Sequence, residues 1–170
     1  MKKLILAASL LIFVSCQNKT SQSNLNNVSN PFFQEWNTPY QVPPFLLIKD
    51  EHYMPAFKQG MEENINEINI IVNNPVEPTF ANTIEEYERT GKLLSRVQRT
   101  FYNLAGSNTN PEIQKLQREL SPLISAHYDK ISLNEGLFLR IDKIWQEREN
   151  LELTNEQLKL LEDTRKGFVR

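Results

Sequence analysis

The chain has 170 residues, with 19 lysine or arginine and 21 aspartate or glutamate side chains, and a formal net charge of −2 at pH 7. This small, evenly mixed charge argues against nucleic acid as a partner, because phosphate recognition needs clustered cations. The one cysteine excludes a disulfide within the chain. Only five glycines, beside abundant leucine and glutamate, favour an all-α fold over a sheet.

The first residues predict an export signal. Lys2 and Lys3 precede an apolar run over residues 4–14, which is shorter than the roughly 20 residues that a membrane-spanning helix needs. The run ends in Phe13-Val14-Ser15-Cys16, which resembles a lipobox with phenylalanine in place of the usual leucine. We expect residues 1–16 to be a signal peptide, Cys16 to be the lipid attachment site, and the protein to be anchored in the cell envelope. The alternative is plain cleavage, with Cys16 incidental.

Two segments without long helices are expected next. Residues 17–30 are nearly all Asn, Ser, Thr and Gln and predict a disordered tether, because they offer little apolar surface to bury. Residues 31–49, called the arm, are rich in proline, which lacks an amide hydrogen and holds the preceding residue in extended geometry. We expect an extended arm whose aromatic side chains lie across the helices: Phe32, Phe33, Trp36, Tyr40 and Phe45.

Residues 50–170 predict about five helices, packed as antiparallel hairpins or a bundle. Apolar residues recur there at spacings of three and four, and the polar links between the periodic segments are short. The first helix is expected over about residues 50–73. The second is expected from a capping-box pattern at Thr83–Glu86 to about residue 104, with Gly91 on its buried face. The others should begin at Asn110-Pro111, near Asn134, and at a second capping box, Thr154–Gln157.

The chain contains no recognisable metal-binding motif. A catalytic zinc site needs three protein ligands, and a His-Glu-x-x-His helix supplies two of them. The two histidines, His52 and His127, are far apart in sequence and neither belongs to such a motif. We therefore predict no catalytic residue and no metal ligand. His52 is expected to cap or pack at a helix start, and His127 to be a hydrogen-bonded core or interface histidine.

Several segments of the chain carry a family resemblance, including Asn30–Tyr40, Pro43–Phe45, Lys49–Phe57, Ile71–Pro75, Ser121–His127 and Gly167–Arg170. Together they resemble the thimet-oligopeptidase-like zinc metallopeptidases, and among these the peptidyl-dipeptidases, or dipeptidyl carboxypeptidases. The resemblance covers nearly all of the chain after the tether. It implies an all-helical protein around a deep substrate channel, with the zinc and its ligands in a later region that this sequence does not contain.

The resemblance leads to two functional hypotheses. The first is an N-terminal, non-catalytic part of an exported zinc peptidase that, when complete, removes dipeptides from the C-terminus of short peptides. Residues 50–170 would wall the channel and would be inactive alone, and the apolar pattern at Phe168 and Val169 favours an interrupted gene product. The second is a self-standing helical lipoprotein that binds peptides or an envelope partner.

Overall fold

The computed structural model describes residues 30–169, and these residues contain only helices and irregular segments. The predicted leader with Cys16, and all of the predicted tether except Asn30, lie outside them. The all-α class and the number of long helices are confirmed. None of the described helices is long and apolar enough to cross a bilayer. The α-helices are α1 (Asp50–Val72), α2 (Glu86–Arg89), α3 (Lys92–Ser107), α4 (Pro111–Ser132), α5 (Glu135–Glu147) and α6 (Asn155–Lys166).

Shorter elements complete the backbone. A π-helix, Phe80–Glu85, leads directly into α2. Within residues 30–169, three 3₁₀ turns lie outside the α-helices, two of them in the arm: Pro31–Phe33, Pro39–Gln41 and Arg148–Asn150.

The long helix α1 is the centre of the structure and contacts α3, α4 and α5. It is antiparallel to α3, because Tyr53 near the start of α1 packs on Phe101 near the end of α3. At the other end of the pair, Asn64 of α1 lies beside Gly91, immediately before α3. A Cβ atom on Gly60 would lie only 2.9 Å from the backbone of Leu94, so the two helices touch there through their backbones.

Helix α4 is parallel to α1 and antiparallel to α3. It begins beside the start of α1, where Asn110 Nδ2 lies 3.4 Å from Asp50 Oδ2. Farther along, His127 reaches Asn64 in the second half of α1. Helices α3 and α4, joined by a short link, therefore run in opposite directions, as expected for successive helices.

The buried apolar side chains form two clusters along α1. The first cluster joins the arm to the first half of α1, to α3 and to α4; the second joins the second half of α1 to the π-helix, the end of α4, α5 and α6. The buried members of the first are Phe32, Tyr53, Ala56, Phe57, Leu94, Val97, Phe101, Ile113 and Leu120. Those of the second are Ile68, Ile71, Phe80, Ile84, Ile131, Leu137, Ile141, Ile144 and Leu161.

The predicted second helix is wrong in two respects. Helical backbone begins already at Phe80, because the capping box is formed by Thr79 and Asn82, whose side chains and amides exchange hydrogen bonds of 3.1 and 2.9 Å. The segment then breaks at Gly91, whose φ of +70° lies in the left-handed region that favours glycine. Gly91 therefore separates α2 from α3 and is not part of a continuous helix with Thr83.

The other predicted helix starts are confirmed. Asn110 accepts a hydrogen bond from the amide of Ile113 at 2.7 Å, with Pro111 at the first helical position of α4. Asn134 caps α5, and the capping box at Thr154 and Gln157 opens α6. Each of these side chains satisfies an amide that the first turn of a helix leaves without an intrahelical partner.

The arm follows expectation in its first half only. Phe32 is fully buried, and Phe33 and Trp36 pack against the first cluster. The expectation that Tyr40 and Phe45 also lie across the helices is wrong, because both side chains are exposed. Two turns interrupt the extended backbone of the arm. The fixed φ of Pro31 suits the first position of Pro31–Phe33, whereas in Pro39–Gln41 the residues after the proline have left-handed φ angles.

Candidate functional site

A groove of about 980 Å³ runs between the arm and α3, and we call it the arm groove. Its α3 wall carries Lys92, Arg96 and Arg99, which recur at helical spacing on one face. Trp36 and Phe45 of the arm form part of the opposite wall. The arm groove therefore combines cationic and aromatic side chains in one open depression.

Arg96 and Trp36 hold the two walls together. The Arg96 guanidinium donates a hydrogen bond to the backbone carbonyl of Phe32, and its carbon lies 5.1 Å from the centre of the Trp36 ring. Trp36 Nε1 in turn donates to the carbonyl of Pro31 at 2.8 Å. A guanidinium over an indole ring is attractive, worth about 0.5–1 kcal/mol when exposed and more when desolvated. These contacts fix the shape of the arm groove before any ligand binds.

The arm groove offers binding groups, and its lining contains neither histidine nor cysteine. Three cations and two carboxylates, Glu35 and Glu88, line the groove, and hydroxyl and amide side chains make up most of the remaining lining. Extended polypeptide presents alternating carbonyls and amides, which hydroxyl, amide and guanidinium groups can bind. The arrangement thus offers cationic and hydrogen-bonding groups to a polar ligand.

A second polar feature lies between the two apolar clusters. His127 of α4 is buried, and its Nε2 lies 2.9 Å from Oδ1 of Asn64 on α1. The tautomer with its hydrogen on Nε2 lets the His127 ring donate to this amide oxygen. One turn farther along α1, Glu67 accepts a hydrogen bond of 2.7 Å from the amide of Gly91. The expectation of a hydrogen-bonded buried histidine at position 127 is confirmed.

The buried His127 should make the protein acid-sensitive. Burial lowers its pKa, and the nearby Lys130 ammonium lowers it further, so the unfolded chain binds a proton more readily than the folded one. The contribution of neutral His127 to the free energy of unfolding is complete above the unfolded pKa of about 6.5. It is lost as the pH falls from there through the lowered folded-state pKa, by at most about 1.4 kcal/mol per pH unit. Urea unfolding at pH 7.5 and pH 5 measures the change in the free energy of unfolding.

The variant His127→Gln serves as the matched control for this prediction. A glutamine amide keeps a donor for Asn64 but does not titrate. The variant should therefore lose less stability than the parent between the two pH values. An identical loss in both proteins would contradict a role for His127.

The two histidines are not brought together. Nδ1 of His52 accepts a hydrogen bond of 3.0 Å from the amide of Lys49 and so helps to cap α1, as expected. Asn64, the partner of His127, lies twelve positions after His52 on α1, which corresponds to roughly 18 Å of helix. Residues 30–169 contain no group of three His, Cys, Asp or Glu side chains placed to hold a metal ion. These residues do not fit a zinc site.

Sequence reasoning missed Arg140, a buried cation that fastens the link between α1 and the π-helix. Its guanidinium donates to the carbonyls of Asn74 and Val76 at 2.9 and 3.3 Å, and to the Asn82 side chain at 3.2 Å. The carbonyl groups of this irregular link accept no hydrogen bonds within a helix, and Arg140 of α5 donates the hydrogen bonds that they need. Periodicity does not reveal such a residue, because an arginine among apolar positions looks like part of a solvated face.

The chain is similar to known bacterial peptidases. It is 41% identical over 141 residues to dipeptidyl carboxypeptidase of Salmonella typhimurium, and 40% identical over 140 residues to that of Escherichia coli. These matches cover 83% and 82% of this chain and 21% of each relative. Oligopeptidase A of Escherichia coli is 24% identical over 101 residues, covering 59% of this chain and 15% of that protein. No family model matches the chain.

The chain thus spans about a fifth of the length of the dipeptidyl carboxypeptidases that it matches. The match takes in most of the chain at an identity well above that to oligopeptidase A. On this similarity, the chain resembles a part of the peptidyl-dipeptidases of the thimet-oligopeptidase-like metallopeptidase family.

Proposed function

We propose that this chain serves as a non-catalytic helical segment of a dipeptidyl carboxypeptidase and that its arm groove lines the path of the peptide substrate. The observation that carries the proposal is the identity of about 40% over more than four-fifths of the chain. Zinc and the groups that activate water would come from other parts of such an enzyme. The contribution of residues 30–169 would be to bind and orient peptide and to exclude folded proteins by shape.

The arm groove supports a role in holding peptide because its cations stand in a row along α3. Lys92 and Arg99 are exposed, whereas Arg96 is committed to Phe32 and Trp36. The carboxylate of an acidic side chain or of a peptide C-terminus would bind Arg99 without displacing the contacts that Arg96 makes with Phe32 and Trp36. Such an exposed ion pair contributes about 0.2–1 kcal/mol to binding.

A chimeric enzyme tests the proposal. In Escherichia coli dipeptidyl carboxypeptidase, the matching 140 residues would be replaced by those of this chain. We expect the chimera to bind one zinc ion and to release dipeptides from an N-blocked peptide. Within it, Arg99→Ala should raise KM about two- to five-fold with kcat unchanged, because it removes a contact made equally in the ground and transition states.

Arg118→Ala is the control, because Arg118 lies exposed on α4 outside the arm groove. It should leave KM unchanged. A folded, zinc-loaded chimera without dipeptide release would contradict the assignment to this enzyme. Equal KM values for the two arginine variants would contradict the role of the arm groove.

We also propose that the protein is exported and anchored through a lipid on Cys16. The support is the leader-like pattern of residues 1–16, with its cationic start and its short apolar run. Two or more acyl chains would give the stable membrane attachment that a single chain does not. The intact mass of membrane-extracted protein tests this part of the proposal, and an unmodified cysteine would refute it.

A further inference from the structure

The second half of the arm presents an apolar surface that no described residue covers. We call residues 38–48 the apolar loop; it contains no charged side chain. Leu46 is 100% exposed, Tyr40 99% and Leu47 64%, and Val42 and Phe45 are about half exposed. Contiguous exposed apolar side chains are unusual on a monomer and mark contact surfaces.

The apolar loop is held in shape by its own hydrogen bonds. Thr38 Oγ1 donates to the carbonyl of Val42 at 2.5 Å, and the amides of Leu47 and Ile48 donate to the carbonyl of Pro44 at 2.8 and 3.2 Å. The exposed leucines are therefore presented by an ordered backbone. A surface ordered in advance loses less conformational entropy when it binds.

The backbone at one end of the apolar loop is strained. Tyr40 and Gln41 have φ angles of +56° and +55°, in the left-handed region that non-glycine residues rarely adopt. This conformation costs roughly 1–2 kcal/mol per residue. Tyr40 gains no packing in return among residues 30–169, since its side chain is almost fully exposed. Strain that the local contacts do not repay points to a function for the loop.

Both ends of the apolar loop are anchored on the helical body. Before it, Trp36 is fixed by Arg96 and by the carbonyl of Pro31. After it, Ile48 packs against the first cluster and leads into α1. The loop therefore projects from a fixed base, as a docking element must if it is to join two rigid bodies.

We propose that the apolar loop docks this segment onto the remainder of a dipeptidyl carboxypeptidase polypeptide, in an uncharged, apolar depression of that part. This inference rests on the proposed function. Four-fifths of each matched relative lies outside the matched region, so a segment of this kind has a large polypeptide to contact. The resemblance to the family also runs through Tyr40 and Pro43–Phe45, within the loop. A loop without charge fits an apolar protein surface better than a hydrated one.

The test compares one double variant in two proteins, the 170-residue chain and the chimera described above. Leu46→Ser with Leu47→Ser should shift the Tm of the 170-residue chain by no more than about 1–2 °C, because exposed substitutions have little effect on stability. In the chimera the same change should lower the Tm by at least about 5 °C and speed proteolysis within the segment. The control is Ile70→Ser with Leu139→Ser, at sites 73% and 59% exposed, which should have the same small effect in both proteins.

Each other outcome contradicts the inference. If the parent chimera releases dipeptides but the loop variant behaves alike in both proteins, the docking role fails while the proposed function stands. A parent chimera without activity overturns both. Two further measurements on the 170-residue chain test whether the apolar loop binds something else, either a second copy of the chain or a membrane. If the double variant abolishes a dimer seen by sedimentation velocity, or binding to phosphatidylglycerol vesicles, the loop serves a second copy or a membrane and the inference is wrong.

Discussion

Replacing Phe101 with alanine is expected to lower the free energy of unfolding by about 3–5 kcal/mol, the range for removing a fully buried aromatic side chain. Phe101 lies at the centre of the first cluster. Its ring stands edge-on to those of Tyr53 and Phe57, with centroids 5.0 and 5.5 Å away. Truncation would leave a cavity among rigid rings. Because the backbones of α1 and α3 already touch at Gly60 and Leu94, the helices cannot move closer to fill the cavity. Urea or thermal unfolding measures the loss.

Tyr102→Ala is the control for this prediction. Tyr102 is the next residue of α3, so the change in helix propensity is nearly the same, but its side chain is substantially exposed. We expect it to cost about 1 kcal/mol or less. Similar losses for the two variants would contradict a central position of Phe101 in the first cluster.

Replacing Gly60 with alanine is expected to destabilise the protein by about 2–3 kcal/mol, although alanine is the better helix former by about 1 kcal/mol. The new Cβ would lie 2.9 Å from both the nitrogen and the Cα atom of Leu94. Backbone atoms cannot rotate away as a flexible side chain can, so α1 and α3 would have to separate. Their separation would loosen the whole first cluster. Chemical denaturation of both proteins gives the difference.

Gly106→Ala is the matched control, because a Cβ there meets no atom within 4 Å and Gly106 also lies in a helix. It should be neutral or stabilising by up to about 1 kcal/mol. Opposite signs for the two glycine variants would confirm that the helix contact, and not glycine itself, sets the cost. A stabilised Gly60→Ala protein would contradict the close approach.

The sequence was sufficient for those parts of the fold that depend on local pattern. Periodic apolar residues and side-chain caps such as Asn110 and Thr154 predict helices because both act within a few residues of sequence. The roles of His52 and His127 were also predictable, since neither residue lies in a ligand motif. The family could be identified because many short segments match it in order.

Other features depend on contacts between distant parts of the chain. The break at Gly91 is supported by Glu67, a neighbour in space and not in sequence, and nothing local distinguishes it from a glycine within a helix. Arg140 is buried because carbonyls more than sixty positions away need a donor. The arm groove requires the arm to fold back on α3, and its lining comes from two separate segments. Local propensity carries no information on such long-range pairing.

The division of the interior into two apolar clusters has a consequence for how the molecule unfolds. Helices α1 and α4 each contribute to both clusters, so neither cluster can come apart while these two helices remain fully packed. The two clusters are therefore coupled through α1 and α4, and local opening of one cluster weakens the packing of the other. Amide protons of α1 should accordingly be among the slowest to exchange with solvent, because they become accessible only when both halves open together.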